Sequence, residues 1–277
     1  MRLFNIDTYR LEEFVDVQSA PRYAILSHTW GTGEARLYDL ERTDVQELAA
    51  RRDGYQYIWI DTCCIDKKNL TELSEAINSM FEWYKEAEAC YVFLGDLQNC
   101  RWFTRGWTLQ ELIAPRKLRF FDRSWDWISA VTEDEDDLDI EDEWMPRAIP
   151  RITGIHPHAF NWSNFGCGQE YLDRATAAEK FSWAATRKTT RREDMAYSLL
   201  GILGVNMPLL YGEGNRAFIR LQEEYIRQHN DPKVYTRIRF SPPFFLPPDM
   251  CHKGELRTII LTNGGELYWT NLHLHRV

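Results

Sequence analysis

Residues 57–84 read Tyr-Ile-Trp-Ile-Asp-Thr-Cys-Cys-Ile-Asp-Lys-Lys-Asn-Leu-Thr-Glu-Leu-Ser-Glu-Ala-Ile-Asn-Ser-Met-Phe-Glu-Trp-Tyr, a short apolar run followed by an amphipathic stretch. Tyr57–Asp61 shows no polar alternation, so both of its faces expect cover, as in a strand inside a parallel sheet. Beyond it, Leu73, Ala76, Ile77, Met80, Phe81 and Tyr84 return at helical spacing and form one apolar stripe. Asn69, with Glu72 three residues later, supplies a capping-box-like start. A buried strand feeding a helix is half of a βαβ unit.

The same grammar continues on both sides. Tyr23–Ser27 and Tyr91–Gly95 read as further buried strands, and Leu118–Phe121 as a weaker fourth; Asp39–Arg51 carries a second helix candidate with Leu40, Val45, Leu48 and Ala49. Such alternation predicts an α/β fold with a parallel sheet flanked by helices. A short helix is expected from Trp107 to Ile113, stopped by Pro115. At 100° per residue Leu109, Leu112 and Ile113 face the core, while Trp107 and Glu111, four apart, share the opposite face.

Glu133–Glu143 is a dense acidic tract, expected as a mobile loop or linker because its charges repel. After it the pattern turns helical, with candidates over 173–189 (Ala175, Ala178, Phe181 and Ala185 in a stripe), 193–203 and 216–228. From Pro242 the chain is proline-rich and then β-like, with Asn263-Gly264 as a hairpin signal. This divides the chain into an α/β core over 1–130, an acidic loop over 131–145, a helical region over 146–235 and a β-like tail over 236–277.

Bulk properties narrow the function classes. The net charge of −9 and the lack of a basic stripe disfavour a nucleic-acid partner. No apolar run is long enough to cross a bilayer, and residues 1–7 lack a signal-peptide core. The six cysteines are scattered, which fits a reducing cytoplasm better than a disulfide framework, and no second Cys/His pair stands at zinc spacing. A cytoplasmic protein without a metal or resident cofactor is therefore expected.

In a parallel α/β sheet, ligands bind beyond the carboxyl ends of the strands. Those ends carry Ser27 and His28, Asp61, Gly95 and Asp96, and Asp122, with Trp30, Gly31 and Gly33 just after the first. A hydroxyl, an imidazole, carboxylates and an indole suit a nucleotide-sized ligand, although polar residues also end strands for purely structural reasons. There is no phosphate-loop signature, no complete dinucleotide fingerprint and no nucleophile elbow. Cys63 or Cys64 beside His28 is one candidate nucleophile pair; inert packing is the alternative.

Several segments carry a family resemblance. Tyr23-Ala-Ile-Leu-Ser-His-Thr-Trp-Gly31, Trp59-Ile-Asp-Thr-Cys-Cys-Ile-Asp-Lys67, Ser74–Met80 and Arg105-Gly-Trp-Thr-Leu-Gln-Glu-Leu-Ile-Ala-Pro115 together resemble the HET (heterokaryon incompatibility) domain of fungi. Arg191–Gly201 and Met207–Gly214 resemble the segment that follows it. The resemblance spans roughly residues 20–230. It implies a role in programmed cell death after non-self recognition, with a sensor or incompatibility partner and self-association. It also implies a distant, TIR-like (flavodoxin-like) fold.

Trp107-Thr-Leu-Gln-Glu-Leu112 is similar to the plant TIR helix Trp-Cys-Leu-Asp-Glu-Leu, whose glutamate is catalytic in NAD+ cleavage. Thr108 and Gln110 depart from it. The resemblance thus implies Glu111 as the catalytic residue, with NAD+ as substrate. Ser27, His28, Trp30, Gly31, Asp61 and Trp107 are the candidates for binding it, the two indoles by stacking or else by core packing alone. For Glu111 the structural alternative is a salt bridge to Arg105 or Arg116. Asp66 and Lys67 sit where TIR domains have a self-association loop. Two functions follow: an NAD+ glycohydrolase switched on by assembly, or a non-enzymatic signalling module of the same fold.

Overall fold

Strand β3, Tyr23–His28, is buried along its whole length, as a strand covered on both faces must be. The computed structural model describes residues 1–29, 50–95, 100–132, 144–160, 168–229, 256–261 and 267–272. Parallel neighbours flank β3: β4, Tyr57–Trp59, on one side and β5, Ala89–Phe93, on the other, with β6, Lys117–Phe121, parallel beyond β5. In chain order, the four parallel strands lie second, first, third, fourth across the sheet.

Three antiparallel strands that the sequence pattern does not announce complete the sheet. β1, Arg2–Asn5, pairs with β4, β2, Arg10–Glu13, pairs with β1, and β7, Trp127–Thr132, pairs with β6. The full order is β2-β1-β4-β3-β5-β6-β7. β1 and β2 have four residues each, too short for their periodicity to stand out, and the charges of β2 suit an exposed edge. The strand expected over 57–61 ends at Trp59, and Asp61 instead opens a one-turn helix α1, Asp61–Cys64.

Helix α2, Leu70–Glu86, starts as expected. The Asn69 side chain accepts from the backbone N–H of Thr71 and Glu72 at 3.2 and 3.3 Å. Glu72 departs from the capping box: its carboxylate accepts from Asp66 N–H at 2.8 Å and pairs with Arg2. Ala76, Ile77, Met80, Trp83 and Tyr84 are buried, with Trp59 edge-on to Trp83 and Tyr84 at 5.6 and 5.9 Å. Phe81, on the other flank, presses on Gly201 so closely that a Cβ there would lie 2.0 Å from Phe81 Cβ. α2 is therefore sandwiched between the sheet and the helical region.

Helix α3, Thr108–Ile113, precedes β6. The helical region comprises α4, Trp144–Thr153; α5, Gly168–Arg174; α6, Ala177–Ala184; α7, Asp194–Tyr197; α8, Leu200–Leu203; and α9, Arg216–His229. The helix expected over 173–189 is two helices, because Thr176 and Glu179 form a reciprocal capping box that restarts the chain. The helix expected over 193–203 also divides, at Ser198 and Leu199. In the tail, β8, Leu256–Leu261, and β9, Leu267–Leu272, pair antiparallel, and the expected turn at Asn263-Gly264 lies outside the described residues. The helix candidate over 39–51 and the acidic tract over 133–143 lie outside the described residues, save that 50–52 are helical.

Candidate functional site

The strand order reverses between β3 and β5, and in doubly wound sheets that crevice is where ligands bind. The carboxyl end of β3 supplies Ser27 and His28, both buried. Glu111 reaches this point from α3. Its side chain is 7% exposed, and Ser27 Oγ donates to Glu111 Oε2 at 2.5 Å. Behind them Trp102, in the one-turn 3-10 helix Arg101–Thr104, donates its indole N–H to Ser27 Oγ at 2.7 Å. Trp102 is itself wedged edge-on against Phe103 and Phe120. The indole, the hydroxyl and the carboxylate thus form a directed chain that fixes the Glu111 carboxyl.

Electrostatics at this carboxyl are unusual for a glutamate. Burial pushes its pKa up from the ordinary 4.5 to about 7, against the opposing pull of the Arg105 guanidinium, the Ser27 hydrogen bond and His28. Asp61, at the start of α1, adds to the upward push. The influence is mutual: after burial itself, the charge of Glu111 raises the Tyr84 hydroxyl and the Cys90 thiol. Tyr84 donates to Leu26 O at 3.0 Å, and Arg105 donates from Nη1 to His28 O at 3.2 Å, so groups on α2 and before α3 tie off the end of β3. A carboxyl near neutrality in a low-dielectric setting can hold a sugar hydroxyl, move a proton or stabilise a nearby positive charge.

The structure brings Ser27, His28, Asp61 and Glu111 together, and it corrects one expectation. α3 has no open face bearing Trp107 and Glu111, because all six of its residues are buried. Trp107, half-buried at its start, lies instead beside Asp194, whose carboxyl it helps to hold ionised. Trp30 and Gly31 lie outside the described residues. Arg116 is exposed, and Arg105 acts on Glu111 as a nearby positive charge. Lys67 pairs with Asp61 at 3.5 Å, and Asp66 accepts from Lys68 N–H at 2.9 Å, so both residues of the proposed assembly loop are engaged locally.

Cys63 and Cys64 are buried with their sulfurs 4.0 Å apart. The hydrogen bond to Cys64 and burial push the Cys63 thiol well above its ordinary range, which disfavours a thiolate nucleophile there. Among the described residues no group of three or more His, Cys, Asp or Glu is placed to hold a metal ion, and no helix is long and apolar enough to cross a membrane. A cavity of about 290 Å³ lies at the opposite, amino ends of β3 and β4, lined by Pro21, Arg22 and residues 53–57. It is remote from Glu111.

Sequence reasoning missed Trp102, Tyr84 and Arg187. The first two look like ordinary core aromatics, and Arg187 sits in a basic run, 187–192, that reads as solvated surface.

Comparison with known proteins places the chain at the level of family. Residues 23–99 match the family model described as heterokaryon incompatibility protein (HET). The chain is 42% identical to vegetative incompatibility protein HET-E-1 of Podospora anserina, across 74% of this chain and 16% of that protein. The chain therefore spans about a sixth of the length of the curated relative it matches. No solved structure matches the chain significantly.

Proposed function

The chain belongs to the HET, or heterokaryon incompatibility, family, and on that footing we propose that it is a cell-death effector of fungal incompatibility that cleaves NAD+ at the nicotinamide–ribose bond when its copies associate. The observation that carries this reading is the buried Glu111 carboxyl, hydrogen-bonded to Ser27 at the strand-order reversal and held near neutrality. The order of the four parallel strands is that of flavodoxin-like sheets, which fits a distant TIR-like kinship.

The reaction consumes NAD+ and water and yields nicotinamide, ADP-ribose and a proton. As the C1′–N bond breaks, its electron pair stays on nicotinamide, which leaves neutral, and positive charge moves to the ribose. The ionised Glu111 carboxylate stabilises that charge and accepts from the ribose hydroxyls. A cationic substrate itself favours the ionised form and drives the proton off Glu111. Ser27 orients the carboxylate. His28 and Asp61 bind polar groups of the nucleotide, and Trp30 stacks on one of its rings.

Incubating concentrated, purified protein with NAD+ and measuring nicotinamide tests the proposal. Release whose specific rate rises with protein concentration is expected. Folded protein that releases none at any concentration leaves the non-enzymatic assembly module as the function.

A further inference from the structure

The segment before α3 is gripped from far along the chain. Lys188 N–H donates to Thr104 O at 2.6 Å, and Gly106 N–H donates to Lys188 O at 2.9 Å, so a short parallel bridge joins Arg105 to Lys188. The two segments pack so closely that a Cβ on Gly106 would stand 2.4 Å from the Thr189 methyl, Cγ2. Arg187 donates from Nη1 to Arg105 O at 2.9 Å and to Thr108 Oγ1 at 3.0 Å. Thr108 passes its own hydroxyl to Trp102 O and to Arg105 O. Trp107 lies beside Asp194. Each residue from 104 to 108 is thus tied to the stretch 187–194, directly or through its neighbour.

This grip falls on a helix of six residues whose first residue has no side-chain cap. A helix that short does not hold itself in water. Its register, and with it the direction of Glu111, is set from outside.

We propose that Arg187 is a positioning residue for Glu111, through which the helical region sets where the carboxylate of the α/β core points. Arg187 is 4% exposed, yet it keeps its charge near neutrality: burial lowers its pKa only to about 10, and the charge of Glu111 opposes the fall. Its Nη2 has no hydrogen-bond partner among the described residues. A buried guanidinium is costly, and one that leaves an N–H unmet is not explained by packing alone. It delivers a second positive charge, beside Arg105, to the interior around Glu111.

The proposal rests on Glu111 as the functional group, but its test does not need the reaction. Hydrogen exchange over 102–113 and the Glu111 carboxyl titration, followed by carbon NMR against a Glu111→Gln reference, are measured in wild type, Arg187→Met and Arg187→Lys. The groups acting on that titration are Arg105, Ser27, Asp61, His28 and Arg187, with Tyr84 and Cys90 alongside. Arg187→Met is expected to speed exchange at 104–113 by about tenfold or more and to move the titration alkaline. Arg187→Lys keeps the charge without the fork, so exchange quickens while the titration stays close to wild type; this variant carries the test if the methionine protein does not fold. Folded variants with wild-type exchange over 104–113 would overturn the proposal. Absence of NAD+ cleavage in wild type would remove the proposed reaction and leave this result standing.

Discussion

Glu111 and Glu193 expose similar fractions of their surface, 7% and 8%, but Glu111 lies in a dry interior while Glu193 sits against an open turn, and their environments treat them in opposite ways. Glu193 accepts through its side chain from its own backbone N–H and from those of Gly214 and Gly212, the latter two at 2.9 and 2.8 Å, and this holds it below the usual carboxylate range. Gly212 and Gly214 adopt positive-φ backbone, +105° and +60°, which lets the turn close around the acid. Around it, Tyr211 donates to Asp194 at 3.0 Å, Tyr197 donates to Glu213 at 3.1 Å, and Arg191 lies over the Tyr211 ring. Glu111 has a hydroxyl donor and is pushed to about 7. An acid supplied with backbone N–H groups behaves as a fastener. One left short of donors in a dry site is held away from its ordinary protonation range at the cost of stability.

The largest expected effect breaks the symmetry at Glu111. Glu111→Gln should lower nicotinamide release by about a hundredfold or more, in line with the loss of a preorganised charge-stabilising group. The same variant should gain stability where the fastener would lose it. Glu111 has a folded pKa above its unfolded value, so the native state binds the extra proton and its stability falls as pH rises from about 4.5 through about 7. Above that window the ionised wild type carries a penalty on the order of 3 kcal/mol, which Glu111→Gln removes; denaturant unfolding at pH 5 and pH 8 compares the two.

Glu193→Ala should go the other way, losing about 1 kcal/mol near neutral pH because the N–H groups of Gly212 and Gly214 lose their charged acceptor, as read from the unfolding midpoint. A smaller effect is expected at Ser27→Ala. Its hydroxyl lowers the Glu111 pKa, so removing it should move the acid limb of the pH–rate profile alkaline. Smallest of all, Cys63→Ser should leave nicotinamide release unchanged, since its thiol is held protonated and buried.

This contrast also marks how far the sequence could be read. The apolar runs at Tyr23, Tyr57, Tyr91 and Leu118 identify the parallel strands because strands buried on both faces write their burial directly into composition. Asn69 identifies the start of α2 because its cap is local. Strand ends then point to Ser27, His28 and Asp61, and the Trp-Thr-Leu-Gln-Glu-Leu segment points to Glu111. Helical periodicity misjudged α3, because a face that looks polar can be turned inward when partners arrive from β3 and from residues 187–194. Nothing local distinguishes Glu193 from a solvated acid, since its donors are backbone groups of glycines some twenty residues on. Long-range polar pairing leaves no period in the sequence, and both the site and its fastener depend on it.

The most direct test is the titration of the Glu111 carboxyl itself, taken as the carbon NMR difference between wild type and Glu111→Gln in the absence of ligand. A midpoint near 7 is expected, displaced from the ordinary 4.5 by burial beside Ser27. A midpoint at or below 4.5 would show a solvated or fully satisfied acid, and Glu111 would then be a second fastener rather than the reacting group.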